Sequence, residues 1–112
     1  MITLDSSVID GGATLVVASG RLDMVSAPDF KSLIASTVKD GSACVVVDLA
    51  GVKFMDSSGL GALISGLRVA RQAGGRFLIA AATAQVRAVL QVTQVDQVLH
   101  PYPNVDDALR AA

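Results

Sequence analysis

The 112-residue chain has no tryptophan and no glutamate, one cysteine, one histidine and three prolines, and only 4% of its residues are aromatic. Each shortage closes a route. A single cysteine, Cys44, allows no disulfide framework, as fits a cytosolic chain, and one cysteine with one histidine cannot make a structural zinc site. Cys44 sits in a valine-rich run, where a small buried hydrophobe is the expected role. The one histidine, His100, lies far along the chain beside Pro101, so a hydrolase of the Ser-His-Asp kind has little to serve as its base.

Charge of one sign is lacking too. Nine basic residues face ten acidic ones for a net charge of -1, and the basic residues are scattered, which leaves no electrostatic footprint for nucleic acid. The acids are all aspartates, suited to N-caps and turns more than to capping boxes. The longest apolar runs, around Val45 and from Phe77 to Ala82, fall far below the roughly 20 residues that cross a bilayer. The start, Met1-Ile2-Thr3-Leu4-Asp5-Ser6, has no basic region before an apolar core and does not read as a signal peptide. A soluble, cytoplasmic protein without membrane insertion is expected.

What is present is a core. An apolar share of 52% over this length predicts one domain spanning residues 1–112. Ile2 to Ile9 and Thr14 to Ser19, joined by Asp10-Gly11-Gly12, read as a β-hairpin. Ser26 is positioned to cap a helix with Pro28 in its first turn and Phe30, Leu33, Ile34 and Val38 at helical spacing, stopping near Asp40-Gly41. Ala43 to Leu49 is the central strand, apolar on both faces, with Asp48 as a hydrogen-bonding residue at its end.

From Asp56 to Ala73 a second helix carries Leu60, Leu63, Ile64 and Leu67 on one face and Arg68 and Arg71 on another, ended by Gly74-Gly75. Arg76 to Ala80 is a strand, Thr83 to Thr93 a helix with Val86, Val89 and Leu90, and a short strand falls near Gln97 to Leu99. Pro101-Tyr102-Pro103 forbids helix, then Asn104 caps a last turn or two with Val105, Ala108 and Leu109. The order β-β-α-β-α-β-α-β-α predicts an α/β fold, a mixed, mostly parallel sheet with an N-terminal β-hairpin and four helices.

Several chemistries are excluded by their motifs. Gly59-Leu60-Gly61 lacks the dinucleotide fingerprint, and no Gly-Lys-Ser or Gly-Lys-Thr exists for a phosphate loop. Val45-Val46-Val47-Asp48-Leu49 looks like a phosphate-accepting receiver strand, but no acidic pair follows the first strand to hold Mg²⁺. Asp56-Ser57-Ser58-Gly59 is the stretch that remains, at a strand-to-helix junction where the open surface of a parallel sheet lies. Asp56 or Ser57 can cap the helix, while a serine in its first turn can carry a phosphate that the helix N-terminus favours. Both readings can hold for different oxygens.

Gly20-Arg21-Leu22-Asp23 and the run from Val45 to Gly61, with its Asp-Ser-Ser-Gly-Leu-Gly, resemble the STAS domains of bacterial anti-sigma factor antagonists. Val86-Arg87-Ala88-Val89-Leu90 and Val105-Asp106-Asp107-Ala108-Leu109 sit where that family has its last helices. The resemblance implies a STAS fold and a non-enzymatic, cofactor-free switch. Its unphosphorylated form binds an anti-sigma factor that is also a serine kinase, frees the sigma factor, and is phosphorylated in turn. ATP and Mg²⁺ belong to that partner, and a phosphatase resets the cycle.

By the same resemblance Ser57 is the phosphorylated residue, and Asp23, Asp56, Ser57, Ser58 and Gly59 form the partner-binding surface. The alternative is a STAS subunit that scaffolds a membrane transporter or a signalling complex with no phosphoryl cycle. One position departs from the pattern. Gln94 stands where members often have Gly after the third helix, and a left-handed helix end costs Gln more than Gly, so a different turn is expected there.

Overall fold

The computed structural model describes residues 2–112. Strands β1 (Ile2–Val8) and β2 (Thr14–Leu22) pair antiparallel, joined by a 3-10 turn over Asp10–Gly12. Gly11 and Gly12 take φ values of 82° and 78°, a region in which a side chain would be strained. Then come α1 (Ala27–Lys39), β3 (Cys44–Met55), α2 (Ser57–Gln72), β4 (Arg76–Ala80), α3 (Ala84–Val92), a 3-10 turn at Val95–Gln97, β5 (Pro101–Tyr102) and α4 (Val105–Ala111).

The sheet order is β1-β2-β3-β4-β5, with β2 to β5 all parallel. Each crossover steps to the next strand in the same direction, so right-handed connections leave α1, α2 and α3 on one face. Phe30 and Ile34 of α1, Leu63 and Leu67 of α2, and Val86 and Leu90 of α3 accordingly share one buried cluster with Val45, Val47 and Leu49. Full burial of such a side chain is worth about 1.5–3 kcal/mol. The opposite side chains of the same strands, Val46, Leu78 and Ala80, meet Ala108 of α4. The central strand is therefore covered twice, which is why it reads as unbroken apolar sequence.

Several expectations are corrected by the structure. The central strand does not stop at Leu49 but runs to Met55, and β2 runs past Ser19 to Leu22. Two bulges in β3 hide this extension. Val17 pairs with Asp48 and Ser19 with Gly51, so Leu49 and Ala50 together face one residue, and a second extra residue, Lys53, falls between the pairs Gly20–Val52 and Arg21–Phe54. Asp48 is thus a mid-strand residue, and its Oδ1 accepts the Ala50 N–H at 2.9 Å beside the first bulge.

Two further corrections lie at element ends. Ser26 holds the N-cap position of α1 without making a capping bond, and Asp23 instead caps the turn before the helix, accepting the Val25 and Ser26 N–H groups. The short strand expected near Gln97 to Leu99 is instead a 3-10 turn followed by β5 at Pro101–Tyr102. Proline is tolerated there because β5 is an edge strand.

The turn after α3 keeps left-handed geometry despite its glutamine: Gln94 has φ 60° and ψ 16°. Its side chain is exposed and makes no hydrogen bond within the described residues, so nothing offsets the strain. Gln94→Gly is expected to stabilise the protein by about 1 kcal/mol, the left-handed penalty less the extra chain entropy of glycine. Urea denaturation of the two proteins checks the sign.

Candidate functional site

One residue, Asp56, separates β3 from α2. Its backbone is extended (φ -105°, ψ -170°), its Oδ1 accepts the Gly59 N–H at 2.9 Å, and its carbonyl accepts the Leu60 N–H at 2.9 Å. Capping and presentation are divided between neighbours. With Asp56 as the cap, Ser57 becomes the first helical residue and is exposed, Ser58 is half-buried, and Gly59 is buried. The hydroxyl of Ser57 is free of any structural duty among the described residues.

Gly59 sets how close α2 comes to the sheet. A Cβ at this position would lie 2.0 Å from the Leu22 carbonyl oxygen and 2.9 Å from Met55 Cγ, so only glycine fits. The same Leu22 carbonyl accepts the Asp56 N–H at 3.4 Å. The end of β2 is thereby fastened to the start of α2, and Asp23, the residue after Leu22, is brought beside the serine junction. The sequence separation between these two segments is closed by the pairing of β2 with β3, which runs to Leu22–Met55, and by these contacts at the Leu22 carbonyl.

Asp23 organises its own loop. Its Oδ1 accepts the N–H groups of Val25 at 3.1 Å and Ser26 at 3.2 Å, while Ser26 Oγ donates to the Arg21 carbonyl at 2.7 Å and accepts the Asp23 N–H at 3.0 Å. The Ser26 N–H, foremost among these bonds, holds the Asp23 carboxyl below its ordinary value, so it is charged at neutral pH. Arg21 approaches it at 3.5 Å and lies over the Phe54 ring at 4.2 Å from the centroid. An exposed pair of that length adds little stability, but it helps define a surface.

The loop so fixed carries Met24 and Val25, which are 72% and 77% exposed. Neither was singled out by sequence, since two apolar residues in a loop carry no periodicity. The structure thus brings Asp23, Asp56, Ser57, Ser58 and Gly59 to one junction and adds Met24, Val25 and Ser26 to it. Cys44 lies apart as the first residue of β3 and is half-buried rather than buried as expected; that burial pushes its thiol up against the opposing pull of Arg76, so it stays protonated at neutral pH. Among the described residues no helix is long and apolar enough to cross a membrane.

A five-stranded sheet with three crossover helices on one face, and a free hydroxyl where the central strand hands over to its helix, defines a small α/β domain whose exposed chemistry sits beyond the strand ends. The chain belongs to the STAS domain family, which it matches over residues 6–108. It is similar to an anti-sigma factor antagonist from Mycobacterium paratuberculosis, with 33% identity, a TM-score of 0.89, and coverage of 99% of this chain and 93% of that one. It is 25% identical over 85 residues to the anti-sigma-B factor antagonist of Staphylococcus aureus, covering 76% of this chain and 79% of that protein. The fold also occurs in the murine solute carrier 26 family member A9 anion transporter, at 23% identity and a TM-score of 0.77, over 96% of this chain and 21% of the transporter.

Proposed function

We propose that this chain is an anti-sigma factor antagonist working as a single STAS domain: its unphosphorylated form binds an anti-sigma factor, and phosphorylation of Ser57 by that partner ends the binding. The observation that carries this reading is the division of labour at the head of α2, where Asp56 caps and Ser57 is left exposed. A serine needed for capping could not be modified without loosening the helix. Ser57 can be, and the N-terminal end of α2 favours the added negative charge.

The partner brings ATP and Mg²⁺. Ser57 Oγ forms the new bond to the γ-phosphorus, the bond to the β-phosphate oxygen breaks, ADP leaves and the hydroxyl proton is released. A phosphatase hydrolyses the ester to restore the binding form. The residues that meet the partner are Asp23, Asp56, Ser57, Ser58 and Gly59, extended by the exposed Met24 and Val25.

Mapping of the phosphate by mass spectrometry, after incubation with the cognate kinase and ATP, tests the assignment. One phosphate on Ser57 is expected in the parent and in Ser58→Ala, and none in Ser57→Ala; equal incorporation into Ser57→Ala would overturn it. The occurrence of the same fold in a transporter supports the second reading, a scaffold subunit with no phosphoryl cycle. Recovery of transporter components without an ATP-binding kinase in a pull-down would favour that one instead.

A further inference from the structure

Strand β3 outruns its neighbour. β4 ends at Ala80, opposite Asp48, whereas β3 continues to Met55, so the edge of β3 beyond Asp48 has no strand on that side. Backbone groups in such a position need other partners. The start of α3 supplies them from side chains. Thr83, at the N-cap position, leaves its own helix uncapped and donates its hydroxyl to the Val52 carbonyl at 2.9 Å. Gln85 closes on one residue twice: Oε1 accepts the Met55 N–H at 2.8 Å and Nε2 donates to the Met55 carbonyl at 3.0 Å.

A primary amide carries an acceptor and a donor side by side at one planar end, so it can replace both ladder bonds of an absent strand residue. A carboxylate offers only acceptors, and a lysine or arginine only donors. On its other side Met55 pairs with Leu22 of β2, and its side chain is buried against the close approach of Gly59. Met55 is therefore held from both directions. It is the residue immediately before the Asp56 cap and two before Ser57.

We propose that Gln85 is a positioning residue for the phosphoryl transfer to Ser57, fixing the Met55-Asp56-Ser57 start of α2 through its paired bonds to the Met55 backbone. This rests on the reading of Ser57 as the acceptor. In-line transfer depends on where the acceptor oxygen lies, and a displacement of about 1 Å can cost about a hundredfold in rate. Partner affinity, spread over Asp23, Met24 and Val25 as well, depends on it less. Loss of Gln85 should consequently appear in kcat before KM.

The test compares the parent, Gln85→Met, which keeps the length and loses both bonds, Gln85→Glu, which keeps only the acceptor, and Ile34→Val, a conservative core truncation in α1 that leaves the Met55 bonds in place, as a control. Two readouts are taken: kcat and KM for phosphorylation by the cognate kinase with ATP, and amide hydrogen exchange at Met55 and Gly59. The expected result is a kcat lower by about tenfold or more in Gln85→Met and intermediate in Gln85→Glu, with KM changed less than about threefold. Faster exchange at Met55 and Gly59 should accompany it, and Ile34→Val should show neither change.

An unchanged kcat in Gln85→Met, or an equal fall in Ile34→Val, overturns the proposal. If the parent accepts no phosphate at all, the reading of Ser57 fails, and exchange still decides the role of Gln85. Equal exchange at Met55 and Gly59 in parent and Gln85→Met would then overturn it, and selective loss of protection at both would sustain the positioning of the helix start.

Discussion

Gly59→Ala is expected to destabilise the protein by about 3 kcal/mol or more, while Gly61→Ala, two residues along the same helix, stabilises it by up to about 1 kcal/mol. The added methyl is the same in both. At Gly59 it would stand 2.0 Å from the Leu22 carbonyl oxygen and 2.8 Å from the Leu22 carbonyl carbon, and both are backbone atoms of a strand paired on each side. No rotamer change relieves that contact. Either α2 retreats from the sheet or β2 yields, and retreat also lengthens the Asp56 N–H bond to Leu22 and carries Ser57 away from Asp23. At Gly61 nothing lies within 4 Å of the new methyl, so only the better helix propensity of alanine remains. Denaturant unfolding of the three proteins measures both signs. A Gly59→Ala protein as stable as the parent would show that the helix does not lie this close to Leu22, and a phosphate acceptance that survives in it would separate the site from the approach.

Much of this geometry was legible in the sequence, and what was not has physical reasons. The helices from Phe30, Leu60 and Val86 announce themselves because each buries one stripe against the same face, and a stripe of period 3.6 survives in the sequence. The hairpin shows through its glycines. β3 beyond Asp48 was not legible, because each bulge inserts a residue and shifts the in-out alternation by one, so Leu49 to Met55 has no constant period. Ser26 reads as a working cap because Ser and Asp are both good caps, and only the fold decides that Asp23, three residues earlier, receives the amides of the turn before α1. β5 is two residues long, too short for any pattern.

The candidate site divides in the same way. Asp56 and Ser57 are visible because a cap and a helix start are local events. Gln85 is invisible, since a side chain acting as a strand edge 30 residues away leaves no trace in its own neighbourhood. The contact of Leu22 with Gly59 was likewise hidden, although the glycine itself was part of the run that carried the resemblance. Sequence points to residues that shape their own segment; it is nearly silent about those that serve another.

Ser57→Asp should retain the fold and lose partner binding by about tenfold or more, and phosphorylated Ser57 by on the order of a hundredfold. The fold is retained because Ser57 is exposed, Asp56 already supplies the cap, and the helix N-terminus favours a negative charge by about 0.3–1 kcal/mol. That gain is small beside the loss. The surface around Ser57 already holds the carboxylates of Asp56 and Asp23, so a partner that accepts them is electrostatically adjusted to a neutral hydroxyl beside them. A further charge of about -1.5 to -2 must be desolvated on binding, and Arg21, the cation beside Asp23, is already engaged with that carboxylate and with the Phe54 ring. Aspartate carries half that charge or a little more on a shorter side chain, hence the graded expectation. Ser57→Ala keeps neutrality and should bind as the parent does. Titration calorimetry against the anti-sigma factor at two ionic strengths measures the series: added salt should recover part of the loss in Ser57→Asp, since the screening length falls from about 10 Å at 0.1 M to about 3 Å at 1 M. Binding of Ser57→Asp equal to that of the parent at low salt would remove surface charge as the means of release.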